Sequence, residues 1–305
     1  MKTVRVIVLM LLVATMAAMA QQRGTPPPPD PRDMGGGRCA ENPVNCKDAA
    51  RPIAGIDSVW LEELTWMDIR DAVKAGKDTV IISTGGMEPN GPYLASGKHN
   101  FVLHANCEAI ARKMGNALCA PIIKLVPEGN IDPPTSHMLS PGTISMREET
   151  FRMMLEDTAR SLRKSTGFKK IIFIGDSGGN QAGMKAVAEK LNAEWPDTVV
   201  AHIAEYYTYN EVTKFMESQG IKTDPAKSEH MHDDPIITLN MLIDDPQSVR
   251  WDQRVKANKA TIDGFSIADK KKVLDLAKKV VDHRADVTIE AIKKAVAAKS
   301  KASNK

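Results

Sequence analysis

Gly175-Asp176-Ser177-Gly178-Gly179-Asn180 is the stretch of this chain best placed to do chemistry. The β-branched run 171–174 stops at this small-residue turn, and 181–191 then reads as a helix. Strand, tight turn and helix is where open α/β sheets put their sites, because the turn presents side chains and free backbone N–H groups at the strands' carboxyl ends. Gly175, Ser177 and Gly179 have the G-x-S-x-G spacing of a serine nucleophile elbow. That chemistry also needs an oxyanion-hole loop upstream and an acid and then a histidine downstream. No His-Gly-Gly loop precedes Ser177, and His283 lies inside a helical pattern, where it makes a poor terminal base. The competing reading is that Ser177 is a small residue fitting a tight turn.

A second group of candidates consists of acids and imidazoles, the side chains of metal ligation and proton transfer. Glu88, Asn90 and His99 lie in 83–99, on a loop that follows the strand-like run 78–86. His137 and His232 come from separate stretches further on. Asp176, Glu205, Asp233 and Asp234 could add carboxylates, against plainer roles as turn, cap or solvated acids. His104, His202 and His283 read as structural or exposed.

The elements that must position these residues alternate. Runs 78–86, 117–126, 169–174 and the start of 197–209 are strand-like. Runs 100–115, 147–165, 181–195 and the long segment from Ala268 have helical spacing. Strands alternating with helices imply βαβ units, hence an α/β fold: a three-layer α/β/α sandwich with a mainly parallel sheet.

The first twenty residues have a basic start, an apolar run of about a dozen residues and Ala18-Met19-Ala20, which is the pattern of a cleaved export signal. The run is shorter than the roughly 20 residues a bilayer span needs, so no stable membrane anchor is expected. Export to the periplasm or medium is the expectation. Residues 21–56 read as a Pro/Gly-rich linker in which Cys39 and Cys46 close a local disulfide. The α/β domain is expected over 57–297, with a Lys-rich, solvated tail at 298–305. Cys107 and Cys119 read as buried thiols. The net charge of +3 with interspersed signs argues against a nucleic-acid partner.

Several stretches resemble the creatininase family of metal-dependent amidohydrolases, in that family's order. They are LEELTWMDI (61–69), STGGMEPNGPYLASGKH (83–99), SHMLSPGTISM (136–146), GFKKIIFIGDSGGN (167–180), HMHDDPIITLNMLIDDPQSV (230–249) and IDGFSIADKKK (262–272). The resemblance implies two divalent ions, zinc or manganese, acting on an amide carbonyl. Position by position, Glu88 falls on the family's first glutamate. Asn90 falls on a ligand histidine, His99 on the bridging aspartate, and Ser177 on another ligand histidine. Gly91, Pro92, Leu94, Pro141, Gly142, Thr143, Gly178, Gly179 and Asn180 agree with the family. The scaffold is kept while ligands change, so one ion is expected rather than two. Glu88 and His99 would hold it, with Asn90 or Asp176 as further ligands and His137 or His232 as general base or acid. A small or cyclic amide is the implied substrate, and a homo-oligomer the implied assembly. Two alternatives stand beside this: a non-catalytic binding or scaffold protein on the same fold, and a serine hydrolase using Ser177.

Overall fold

The apolar β-branched runs become strands because each follows polar residues, and the first three stop at Gly85, Pro121 and Gly175. The computed structural model describes residues 50–227 and 231–303; the export signal, most of the linker and the proposed Cys39–Cys46 pair lie outside these. A capping box between Thr65 and Asp68 starts helix α1 (Trp66–Lys74). It leads to strand β1 (Thr79–Thr84), buried along its whole length. Helix α2 (Lys98–Met114) follows a loop and ends at Gly115, and strand β2 (Ala117–Cys119) comes next. Helix α3 (Glu148–Thr166) opens with Glu148 and Glu149, which suit the helix dipole, and stops at Gly167. Then come strand β3 (Lys170–Gly175), helix α4 (Gln181–Glu194) and strand β4 (Val199–His202). Helices α5 (Asn210–Ser218), α6 (Pro235–Asp244) and α7 (Trp251–Lys256) precede a short hairpin, β5 (Thr261–Ile262) with β6 (Phe265–Ser266). The 34-residue helix α8 (Lys270–Ser303) completes the order.

The four central strands lie in the order β2-β1-β3-β4, all parallel, with Thr84 opposite Gly175 at the carboxyl edge. Helices α2, α6 and α8 pack together as one layer and α3 with α4 as the other. This is the expected α/β/α arrangement. Ile81, Ile82, Ile172 and Phe173 are fully buried in its core, each worth about 1.5–3 kcal/mol of burial. A second apolar cluster lies among α5, α6 and α8, around Leu239, Met241 and Val280.

Two expectations need correction. Run 117–126 is not one strand. Its continuous pairing ends at Cys119, and beyond Pro121, which has no N–H to donate, Ile123 and Val126 make only isolated bridges. Cys107 and Cys119 are not free thiols but form a disulfide, bridging α2 to β2 across 12 residues. Helix α8 runs on through residue 298, where the Lys-rich tail is expected to begin, to Ser303. Among the described residues no helix is long and apolar enough to cross a membrane.

Candidate metal and acid–base site

The loop after β1 and the start of α2 meet the end of β3 at the sheet's carboxyl edge. Glu88, Lys98, His99, Glu128, His137, Asp176, Ser177, Tyr207, Tyr209, His232 and Asp234 line one cavity of about 910 Å³ there. Gly97 sets the first turn of α2 so that Lys98 and His99 point inward, leaving them only 3% and 4% exposed. Asn100 ties that turn to the strand end: its Nδ2 donates to Gly86 O at 3.2 Å, and its Oδ1 accepts from Gly86 N at 3.3 Å. Two glycines allow close approach. A Cβ on Gly86 would stand 2.1 Å from Glu128 Oε1, and one on Gly179 2.1 Å from the Pro127 carbonyl.

Glu88 is the centre of the site. Its Oε1 lies 2.8 Å from Lys98 Nζ, 3.2 Å from His99 Nε2 and 3.2 Å from His232 Nδ1. Its Oε2 lies 2.9 Å from His137 Nδ1. Burial alone would raise its pKa, but the hydrogen bond and charge of His99 and the Lys98 ammonium outweigh that and hold it well below the usual carboxylate range. Glu128 goes the other way: burial and the neighbouring Glu88 charge push it up to about 8.

Asp176 lines the cavity with both its oxygens already engaged. Its Oδ2 accepts from His99 Nδ1 at 2.8 Å, and its Oδ1 accepts from Arg284 Nη2 at 2.7 Å and from Tyr209 OH at 3.0 Å. Burial opposes its ionisation, but Arg284 and His99 together keep its pKa low. The opposite holds for the imidazole: burial would lower the His99 pKa, yet its bonds to Asp176 and Glu88 raise it to about 9. A histidine held from behind by a carboxylate is how metal-binding imidazoles are oriented.

The other expected residues are distributed as follows. Asn90 is a loop brace: its Nδ2 donates to the carbonyls of Glu88 and Ala95, and its Oδ1 lies 3.1 Å from His232 Nδ1. His232, at φ +62°, also points Nδ1 at the Pro89 carbonyl, so Nδ1 carries the proton. Burial and Lys98 lower its pKa, which keeps the ring neutral. The rings of His137 and His232 lie edge to face, 5.5 Å apart. Ser177 donates to Glu128 Oε2 at 3.4 Å and accepts from Gly179 N; among the described residues no histidine bonds it. A serine nucleophile thus lacks an imidazole base. Asp233 is spent on a buried pair with Arg254, while Asp234 caps α6 and is pushed by burial up to about 6. Glu205 is exposed. His104 stacks on Trp60, His202 bonds Gln181, and His283 stacks on Phe215.

Sequence reasoning missed Glu128, Lys98 and Arg284. Glu128 does follow an apolar run, as strand-end site residues do. Arg284 had a clear signal, since it falls on the apolar stripe Val280, Val281, Ala285, Thr288 of α8, where a charge is costly unless paired.

Two groups of side chains could hold a cation: Glu88, His137 and His232, and Glu88, His99 and Glu128. The second fits one divalent ion. Among the described residues Glu128 Oε1 is buried without a hydrogen-bond partner, and His99 Nε2 is buried with only Glu88 Oε1 beside it, at 3.2 Å, an arrangement that suits ligand atoms when no ion is present. Glu88 supplies the third ligand, leaving a fourth position open as in catalytic zinc sites.

The family model for creatininase (creatinine amidohydrolase) matches residues 62–302. The chain belongs to the creatininase family. Among curated proteins it is similar to the 3-dehydro-scyllo-inosose hydrolase of Thermotoga maritima, 24% identical over 180 residues, or 59% of this chain and 54% of that protein. The chain therefore spans about half the length of that relative. Among solved structures it resembles a creatininase in a Mn form (TM-score 0.53, 21% identity, 77% of this chain and 98% of that one). It also resembles a putative creatinine amidohydrolase from Bacteroides fragilis (TM-score 0.51, 18% identity, 78% and 97%). At these identities the likeness shows the shared fold of a creatininase-family protein and no more.

Proposed function

We propose that this creatininase-family protein is a metal-dependent hydrolase of a small or cyclic amide. One divalent ion, zinc or manganese, would sit on Glu88, His99 and Glu128. The observation that carries the reading is the convergence of buried His99 Nε2 and buried, unpartnered Glu128 Oε1 beside the Glu88 carboxylate. When bound, such an ion supplies Lewis acidity, polarising a carbonyl and making water a stronger nucleophile at neutral pH. The chain's own residues do the rest. Asp176, anchored by Arg284, fixes the Nδ1–H tautomer of His99 and aims Nε2 at the acids. His232, neutral and tethered through Nδ1, offers Nε2 as the base that takes a proton from water. His137, tethered to Glu88 and 3.3 Å from Glu128 Oε2, is placed to deliver a proton to the departing amine. The cavity walls of Ile131, Met146, Tyr207 and Ile237 suit a small molecule with an apolar side.

The Cys107–Cys119 disulfide supports an exported protein, since such bonds persist in oxidising compartments. The test is metal analysis of protein purified without added ions, followed by a substrate panel of lactams, cyclic ureides and, given the relative's name, inososes. About one ion per chain is expected, lost in Glu88→Gln and Glu128→Gln. Amide hydrolysis should fall by about 10²–10⁴-fold in His232→Ala with the ion retained. A metal-free protein indifferent to chelators would instead support a non-catalytic binding protein.

A further inference from the structure

Glu88 belongs to both candidate cation groups, yet the two are not equivalent. In the group with His137 and His232, each histidine turns the same atom, Nδ1, toward Glu88, and His232 Nδ1 is also directed at the Pro89 carbonyl and Asn90 Oδ1. Those contacts call for an N–H donor rather than a lone pair, so the pair is set to donate and not to ligate. A positive charge is already present beside it. The Lys98 ammonium lies 2.8 Å from Glu88 Oε1 with its side chain 4% exposed. Lys98 stands in the first turn of α2, and Asn100 pins that turn to Gly86 through two hydrogen bonds, so the backbone that carries the ammonium is fixed beside the site.

A buried ammonium needs a counter-charge, and Glu88 is the ion-pair partner of Lys98 among the described residues. A dication on the histidine pair would have to share that carboxylate, the only one in the group, with the Lys98 ammonium 2.8 Å away. The Glu88–His99–Glu128 group shares that carboxylate too, but there Glu128 brings a second carboxylate to offset the added charge, and each carboxylate oxygen has two lone pairs to share.

We propose that Lys98 is the resident cation of the Glu88–His137–His232 group, a tethered charge that restricts this protein to a single divalent ion. The inference rests on the one-ion site proposed above, and it leaves both histidines free to carry protons.

The test is calorimetric titration of the metal-stripped full chain with Zn²⁺ and with Mn²⁺, with bound metal counted by mass spectrometry. The wild type should take one equivalent, Lys98→Met two, and Lys98→Met/His232→Ala one again. His232→Ala alone should keep one equivalent, and Lys98→Gln serves as a second replacement if Lys98→Met does not fold. Two equivalents in the wild type overturn the proposal. So do an unchanged stoichiometry in both Lys98 variants and loss of the wild-type ion in His232→Ala. A wild type that takes none while Lys98→Met takes one supports the role of Lys98 and sinks the metal-hydrolase reading. No ion in either sinks both.

Discussion

Gly86→Ala adds one methyl group and removes no ligand, which makes it a sharp probe of the metal site. The new Cβ would lie 2.1 Å from Glu128 Oε1 and 3.1 Å from His99 Cδ2. Real Cβ contacts essentially never fall below 3.0 Å, so the carboxylate oxygen must retreat by at least the difference, 0.9 Å. Metal–ligand distances tolerate only about ±0.2 Å, so a shift of this size takes Glu128 out of coordination. The affinity for Zn²⁺ or Mn²⁺ should drop by at least about 10–100-fold, the loss typical of disturbing even an outer partner of a metal site. The fold should suffer less, by about 1–3 kcal/mol, because the obstructing atom ends a flexible side chain and the rest of the core is untouched. Calorimetric titration gives the affinity, and urea unfolding of the metal-free protein gives the stability. If Gly86→Ala bound the ion as tightly as the wild type, Glu128 would not be a ligand and the site as drawn would be wrong.

Arg284→Met strips Asp176 of its buried guanidinium and should cost about 3–5 kcal/mol in urea unfolding, with part recovered in Asp176→Asn/Arg284→Met; equal stabilities of wild type and single variant would refute the pairing. Stability of the metal-free protein should fall as pH rises. Glu128, up to about 8 from 4.5, and His99, up to about 9 from 6.5, hold protons when folded that they release on unfolding. Their contribution is whole at acid pH and is lost through pH 8 and then 9. Glu88 and Asp176, both depressed, act oppositely and lose theirs as pH falls below 4. The melting temperature should therefore peak in mildly acidic buffer, and Zn²⁺ at pH 9 should restore it by taking the place of those protons; a flat profile from pH 5 to 9 contradicts this. Cys107→Ser/Cys119→Ser should lose about 2–4 kcal/mol relative to the oxidised wild type, since the bond closes a loop near the short end of the usual range; identical unfolding midpoints would show that the bond is not formed in solution.

The layered fold was legible because it rests on periodicity. The strand at 169–174 and the helices on either side of it alternate in a way that few other architectures allow. The site was legible where a residue type was unusual for its place, as with Glu88 and His99 on a strand-end loop. It was not legible where chemistry depends on what a side chain meets. From sequence Asp176 reads as a turn acid or a ligand, and nothing local shows that Arg284, 108 residues further along the chain, bonds one of its oxygens while His99 bonds the other. Lys98 looks like an ordinary surface lysine until the first turn of α2 is seen to bury it. Cys107 and Cys119 sit in a helical and a strand-like run, and nothing local says that those two elements bring the sulfurs together.

The pairing of Arg284 with Asp176 also dictates when the candidate site can come into being. A ribosome has to add more than a hundred residues after the glycine turn before the guanidinium that steadies its aspartate exists. A polypeptide that ends between His232 and Arg284 carries the acids and imidazoles of the cavity without the strut that aligns them. The site is accordingly whole only once the final helix has been made.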